Sequence, residues 1–328
     1  MNDRKEIENP LISIIIPMIN SACTIGRCLQ SLINQSYNNI QIIIVDDYSS
    51  DNSVSIAQKM TKNHYNSIII ETNGNNGAGG CRNIGLENAS GKYIGFIDSD
   101  DWIDTMMYEK LIKIIERTNS EIAICGVLNE YDNPQLAQIR YKYDLENVID
   151  GEFALKLLSR SVNQDISISP VVWNKIYLAD FLFKKDLKFL VNSYNEDDAF
   201  IFCCFLHSHR IVLTPNTYYH YYQRENSNTH FFSKKHIIDL INSFASIKSY
   251  LIKYNLYEQN QSNYYSFFEK CLAFILNNLA THEKSKEIQI KYLQLLFSEL
   301  NRIFDTQEYI NHVGLQRIYD FIAPYRMK

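Results

Sequence analysis

The sequence predicts an α/β protein, a mostly parallel sheet flanked by helices, with an all-helical C-terminal extension. Three observations lead there. Short β-branched runs alternate with helix-period segments as far as Cys125. The acidic and Gly-rich clusters follow those runs directly, where an open parallel sheet places its ligands. Beyond Phe231 strand signals cease and amphipathic helical patterns continue to the end of the chain.

Leu11–Ile16 (LISIII) reads as a buried strand stopped by Pro17. Cys23–Asn34 carries Ile25, Cys28, Leu29, Leu32 and Ile33 at helical spacing. Gln41–Val45 is a second strand, and Ser53–Lys62 a helix with Asp51 or Asn52 available as its cap. Ile68–Glu71, Tyr93–Ile97 and Glu121–Cys125 continue the strands, with helices over Gly80–Asn88 and Met106–Arg117 between them. Such alternation requires right-handed crossovers and a sheet covered on both faces. Asp150–Leu158, Trp173–Phe181 and Glu196–Leu206 read as helices, and Arg210–Leu213 and Thr217–Tyr222 as two strands around Pro215. The expected division is 1–231 for the α/β domain and 232–328 for the helical region.

The 328 residues suit two domains or one with a large extension. With 32 Lys+Arg against 37 Asp+Glu, and no strongly basic block, nucleic acid is not an expected partner. Seven cysteines without a C-x-x-C pair fit neither a disulfide framework nor a zinc knuckle, and read as thiols in a reducing compartment. Met1–Pro10 has no apolar core of a signal peptide, and no apolar run approaches the roughly 20 residues that cross a bilayer. A cytoplasmic protein is expected, with room for a peripheral hold on the inner membrane face.

Asp98-Ser99-Asp100-Asp101 follows the apolar run YIGFI. In an extended segment Asp98 and Asp100 point the same way, and two adjacent carboxylates repel unless a cation lies between them. Hard oxygen ligands suit Mg²⁺ or Mn²⁺, which leave positions open for substrate phosphates. The same residues also suit a polar turn that caps a helix starting near Asp104. Asp46-Asp47 closes the second strand similarly, able to accept from a base N–H or ribose hydroxyl, or to form an Asx-turn.

Asn76-Gly77-Ala78-Gly79-Gly80-Cys81-Arg82 leads from loop to helix, but Arg82 replaces the third glycine of a dinucleotide fingerprint. Arg82 suits either a diphosphate or a neighbouring acid. Glu196-Asp197-Asp198 precedes the apolar AFIFCCFL; the three acids favour a helix N-terminus, or supply a base beside a half-buried pocket. Tyr218–Tyr222 with Arg224 and Ser227 interleaves rings with polar groups, as a sugar site or any half-buried strand does.

Taken in order, these motifs resemble the family 2 glycosyltransferases, inverting enzymes with the Rossmann-like GT-A fold. The marks are SIIIPMIN with Pro17 and Asn20, IIIVDDYSSD, N-x-G-x-x-x-C-R-N-x-G, GKYIGFIDSDDW, WNKIY, NEDDAF and YYQRENS, over roughly residues 11–230. The resemblance implies that Asp47 holds the uracil, with Pro17, Asn20, Asp46, Asn76, Gly77 and Ser99 also lining the nucleotide-sugar site. It places Asp98 on the ribose and sugar side, and also beside Asp100 on a Mn²⁺ or Mg²⁺ ion at the diphosphate. Arg82, Arg224 and Ser227 line the donor phosphates or sugar. Asp197, paired with Glu196, is the implied base. Two departures stand out: Ile19 occupies the place of a usual Tyr, and Asp198 adds an acid beside the pair.

The implied reaction moves a sugar from a UDP-sugar to a glycan or lipid-linked acceptor, as in bacterial polysaccharide or lipooligosaccharide synthesis. The helical tail is a candidate acceptor, homo-oligomer or membrane contact. A sugar-phosphate nucleotidylyltransferase is the alternative enzyme, but it would carry a Gly-rich loop with a basic residue after the first strand, where Pro17-Met18-Ile19-Asn20 stands. A non-catalytic nucleotide-sugar binder is the other alternative.

Overall fold

The computed structural model describes residues 9–64, 66–162, 166–223, 232–305 and 308. Strand β1 (Ile12–Met18) leads through helix α1 (Ile25–Ile33) to β2 (Ile40–Asp46), and α2 (Ser53–Thr61) leads on to β3 (Ser67–Glu71). Helix α3 (Gly77–Glu87) returns the chain to β4 (Tyr93–Phe96). Short β5 (Trp102–Ile103) precedes α4 (Met107–Thr118), β6 (Ile122–Glu130), β7 (Gln138–Tyr141) and β8 (Asn147–Ile149). Then follow α5 (Gly151–Ser159), β9 (Lys175–Leu178), α6 (Ala179–Lys184), α7 (Glu196–His207) and β10 (Ile211–Tyr222). Helices α8 (Lys234–Lys253), α9 (Tyr257–His282) and α10 (Lys286–Ile303) come last.

The strands form one mixed sheet in the order β3-β2-β1-β4-β9-β6-β10-β5, with β7 beside β6 and β8 beside β10. The β3-β2-β1-β4 half is parallel throughout. Its strands are β-branched because β1 and β2 are buried on both faces. Helix α1 buries Ile25, Cys28, Leu29 and Leu32, the spacing that places one face against the sheet.

Three local readings change in the folded chain. Pro17 lies inside β1, paired with Val45, because the β1–β4 ladder ends at Ile15–Phe96 and no donor is needed on that side. Lys175–Leu178, read as helix, is a strand inserted antiparallel between β4 and β6; two waiting sheet edges outweigh a short helical period. The two strands around Pro215 are a single strand, β10, whose register against β6 shifts between Leu213 and Thr217, the interval that contains the proline.

The chain divides into two compact units. The first holds the whole sheet. The second comprises 152–170, 193–206 and 224–328, so the helical unit takes in α7 and most of α5 as well as the C-terminal helices. Its core is aromatic: Phe244 meets Phe267 and Phe268 at 5.3 and 5.0 Å, and Phe202 of α7 stacks on Phe267 at 5.9 Å. Among the described residues, no helix is long and apolar enough to cross a membrane.

Helix α3 lies close on β1. A Cβ at Gly85 would come within 2.3 Å of Ile15 Cγ2 and 3.0 Å of its Cγ1. Gly85→Ala is therefore expected to cost about 1–3 kcal/mol by overpacking. Thermal unfolding checks this; a variant melting with the wild type would mean that α3 has room to lift off β1.

Candidate active site

β1 connects to β2 on one side and lies beside β4 on the other, so the order of the sheet reverses there. The crevice at the carboxyl ends of β1 and β4 is the switch point, the usual ligand site of such sheets. Four loops meet around it, after β1, β2, β3 and β4.

The loop after β1 is tied to the loop after β2. Asn20, at φ 45°, donates its N–H to Ser49 Oγ at 2.9 Å and accepts the Ser50 N–H on its side-chain oxygen at 2.9 Å. Ser21 donates its N–H to Ser53 Oγ at 2.7 Å, and Ala22 donates to Asp51 at 3.0 Å. Asp46 is buried and accepts the N–H and hydroxyl of Ser49 at 2.9 and 2.5 Å. Asp51, not Asn52, accepts the N–H of Ser53 at the head of α2.

Asp47 organises the loop after β3. Its two oxygens accept the Thr72 hydroxyl at 2.9 Å, the Asn76 amide at 2.9 Å and N–H at 3.1 Å, and the Gly77 N–H at 2.9 Å. It thus anchors the start of α3, whose first N–H groups lack helical partners. Gly77 has φ +61°, and a Cβ there would stand 3.1 Å from Asn192 Cα. Only glycine meets both constraints without strain.

The loop after β4 holds the remaining carboxylates. Asp98–Asp101 is not extended, as the alternation argument expected, but a turn closed by the Asp101 N–H on the Asp98 carbonyl at 3.1 Å. Asp98 is ion-paired at 2.8 Å with buried Arg82, so Arg82 carries a local acid as partner. Ser99 Oγ lies 2.7 Å from Ser21 Oγ, which joins the β1 and β4 loops. Asp100 is half-buried. Asp101 is fully buried, accepting the Tyr219 hydroxyl at 2.7 Å and the Tyr222 N–H at 2.8 Å. Burial, followed by the nearby charges of Asp100 and Asp98, pushes the Asp101 carboxyl well above the usual range.

Aromatic rings back this turn. Trp173 stacks on Tyr219 at 4.2 Å and on Tyr221 at 5.3 Å, and Trp102 stacks on His220 at 5.3 Å. The WNKIY segment contributes Asn174 and Lys175, both fully buried, with Asn174 donating to the Cys125 carbonyl at 2.6 Å. Pro17, Asn20, Asp46, Asp47, Asn76, Gly77, Arg82, Asp98, Ser99 and Asp100 thus lie in or beside the four crevice loops of the first unit. Arg224 and Ser227 lie outside the described residues. The roles of Asp101, Tyr219 and Trp173 were missed from sequence. Their signals were a third acid in DSDD, the WNKIY motif and the tyrosine density of β10.

Glu196, Asp197 and Asp198 form the first turn of α7 in the second unit. Asp198 is buried and accepts Asn195 Nδ2 at 2.8 Å. Burial raises its carboxyl to about 6; the Asn195 bond opposes this, while the charge of Asp197 adds to it. Glu196 is buried and Asp197 half-buried.

Sheet order and crevice define an α/β protein of the GT-A class, and S. aureus TarS, solved with UDP-GlcNAc, matches its fold with a TM-score of 0.71 at 20% identity, over 96% of this chain and 89% of that one. The model for glycosyl transferase family 2 matches residues 13–169. An uncharacterized glycosyltransferase of Haemophilus influenzae is 33% identical over 182 residues, 54% of this chain and 71% of that protein. The chain belongs to glycosyl transferase family 2. Glycosyltransferase GlyA of Streptococcus pneumoniae is 28% identical over 299 residues, 89% of this chain, which spans only 42% of GlyA's length.

Two of the perturbed carboxyls, Asp47 and Asp198, predict opposite pH effects. For Asp47, burial raises the carboxyl but the bonds from Asn76, Gly77 and Thr72 outweigh it, leaving it below its ordinary value. Its stabilisation is complete above the unfolded value of about 3.9 and is lost as pH falls through the folded one. Asp47→Asn should lower the Tm at neutral pH and flatten the acid limb of stability against pH. For Asp198 the folded value lies above the unfolded one, so the wild type loses stability as pH rises from about 4 toward about 6. Asp198→Asn should gain on the wild type across that window in urea titrations; a parallel pair of curves would show that Asp198 ionises normally.

Proposed function

We propose that this chain is an inverting glycosyltransferase that moves a sugar from a UDP-sugar to a hydroxyl of a glycan or lipid-linked acceptor, in the synthesis of a bacterial surface polysaccharide or lipooligosaccharide. The carrying observation is the Asp98–Asp101 turn at the switch point, with Arg82 paired to Asp98 and Ser99 bonded to the β1 loop. Family membership supports the transferase class, and the UDP-GlcNAc complex of TarS, which shares the fold, supports a UDP-sugar donor.

In this reading the loops after β1, β2 and β3 receive the nucleoside, with Asp47 and Asn20 at its edge. Arg82, held by Asp98, offers positive charge toward the donor phosphates. The turn supplies carboxylate oxygens, a donor set that fits a hard divalent cation completing its shell with diphosphate oxygens and water. Asp100 and Asp98 are the residues that would hold Mn²⁺ or Mg²⁺, and the ion, when bound, would neutralise charge on the departing diphosphate. Among the described residues, no three His, Cys, Asp or Glu side chains gather as a self-sufficient cation site.

Asp197 is the proposed base, removing the proton of the acceptor hydroxyl as it attacks the anomeric carbon from the face opposite the leaving nucleotide. The setting of α7 supports Asp197 over Asp198, because Asp198 is turned into the helical unit beside Asn195 while Asp197 stays half-exposed.

Release of the nucleotide from UDP-, GDP-, CMP- and dTDP-sugars, with Mn²⁺, Mg²⁺ or EDTA, tests the whole reading. One UDP-sugar should be turned over, EDTA should abolish release and added cation restore it. Asp197→Asn should lose about 10²–10⁴-fold in turnover, with UDP affinity kept, whereas Asp198→Asn keeps most activity. An Asp197→Asn enzyme with near-normal turnover would remove the base assignment.

A further inference from the structure

Arg27 is exposed on α1, opposite the buried face of Cys28 and Leu29, and its guanidinium packs against two aromatic rings. Its Cζ lies 3.8 Å from the centre of the Trp102 ring and 4.3 Å from that of Tyr222. One of its terminal nitrogens donates to the Asp100 carbonyl at 3.0 Å. Both rings are themselves held. Trp102 stacks on His220 at an interplanar angle of 11°, and His220 Nδ1 lies 2.8 Å from Glu130. The Tyr222 N–H is bonded to Asp101.

The Asp98–Asp101 turn is therefore gripped from two sides. On the inside, buried Asp101 takes the Tyr219 hydroxyl, whose oxygen in turn accepts the Asp98 N–H at 3.3 Å. On the outside, Arg27 takes the Asp100 carbonyl. The bond to the Asp100 carbonyl fixes the peptide plane that follows the Cα bearing the Asp100 side chain, and the guanidinium that makes it sits in the corner between two rings tilted 52° to each other. A guanidinium meets a ring face and a carbonyl at once with fixed geometry, which a flexible point-charge ammonium does not reproduce.

We infer that Arg27 is a positioning residue for the carboxylate turn, holding Asp98 and Asp100 in the geometry that binds a divalent cation together with the nucleoside diphosphate. This rests on the reading of the turn as a cation and diphosphate site. Charge alone works against it, because a cation near the turn repels an incoming metal ion. Positioning and simple electrostatics therefore predict opposite signs for the removal of Arg27.

The test is Mn²⁺ binding to the full chain in the presence of UDP, followed by the paramagnetic resonance signal of free Mn²⁺, with Mn²⁺ and UDP alone as blank. Wild type, Arg27→Met and Arg27→Lys are compared, and thermal melting of each is recorded. Arg27→Met keeps the apolar stem and should weaken Mn²⁺ binding about tenfold while the Tm stays near that of the wild type. Arg27→Lys keeps the charge and should fail to restore affinity, which also covers the case of a Met variant that does not fold. Unchanged or tighter Mn²⁺ binding in Arg27→Met overturns the inference, and so does full rescue by lysine. A lowered Tm without a change in Mn²⁺ affinity leaves Arg27 merely structural, and overturns it too. A loss of UDP affinity with unchanged Mn²⁺ dependence would make Arg27 a direct diphosphate contact instead. If the wild type binds no Mn²⁺ with UDP, the cation reading falls and this inference with it.

Discussion

Strand β1 takes parallel partners on both edges, and the site depends on that arrangement. Parallel pairing brings the carboxyl ends of β1, β2, β3 and β4 to the same edge, so that the loops after them converge although they are far apart in sequence. The pairing is possible because β1 is apolar on both faces and can be covered by helices on each side. Close approach of α3 at Gly85 then carries Arg82 to Asp98, one end of the sheet contact serving the packing and the other the site.

The crevice gathers negative charge, and the structure shows how that charge is managed. Each carboxylate has a different neighbour. Asp47 is solvated by backbone and amide donors at the head of α3, and Asp98 is ion-paired with Arg82. Asp101 is withdrawn into the core against Tyr219. Three acids within four residues would otherwise repel one another strongly in a partly desolvated place. Asp98 and Asp100 stay half-buried, in a turn closed by the Asp101 N–H on the Asp98 carbonyl. In the proposed function this preorganisation would position a donor without a reorganisation cost at the moment of reaction.

The second unit shows the same division of labour on one helix turn. Helix α7 opens with three acids and continues as an almost wholly buried apolar segment. Asp198 is buried and held by Asn195, whereas Asp197 is half-buried. Adjacent residues on a helix face directions about 100° apart, so two neighbouring acids can meet different surroundings.

The alternation of strand and helix, the helical C-terminal region and the acidic ends of β2 and β4 are legible in the residues alone, since these follow from local period and from the chemistry of short motifs. The residues also carry the family resemblance. What only the tertiary structure decided was pairing. Lys175–Leu178 has too short a pattern to declare itself, and becomes a strand because β4 and β6 leave a gap for it. Tyr219 joins Asp98 to Asp101 across more than a hundred residues, and Arg27 reaches the turn only because α1 lies beside β5. Periodicity reports which face of an element is buried. It carries no information on which distant side chain will meet it there, because that depends on the register and order of strands that the whole chain must assemble together.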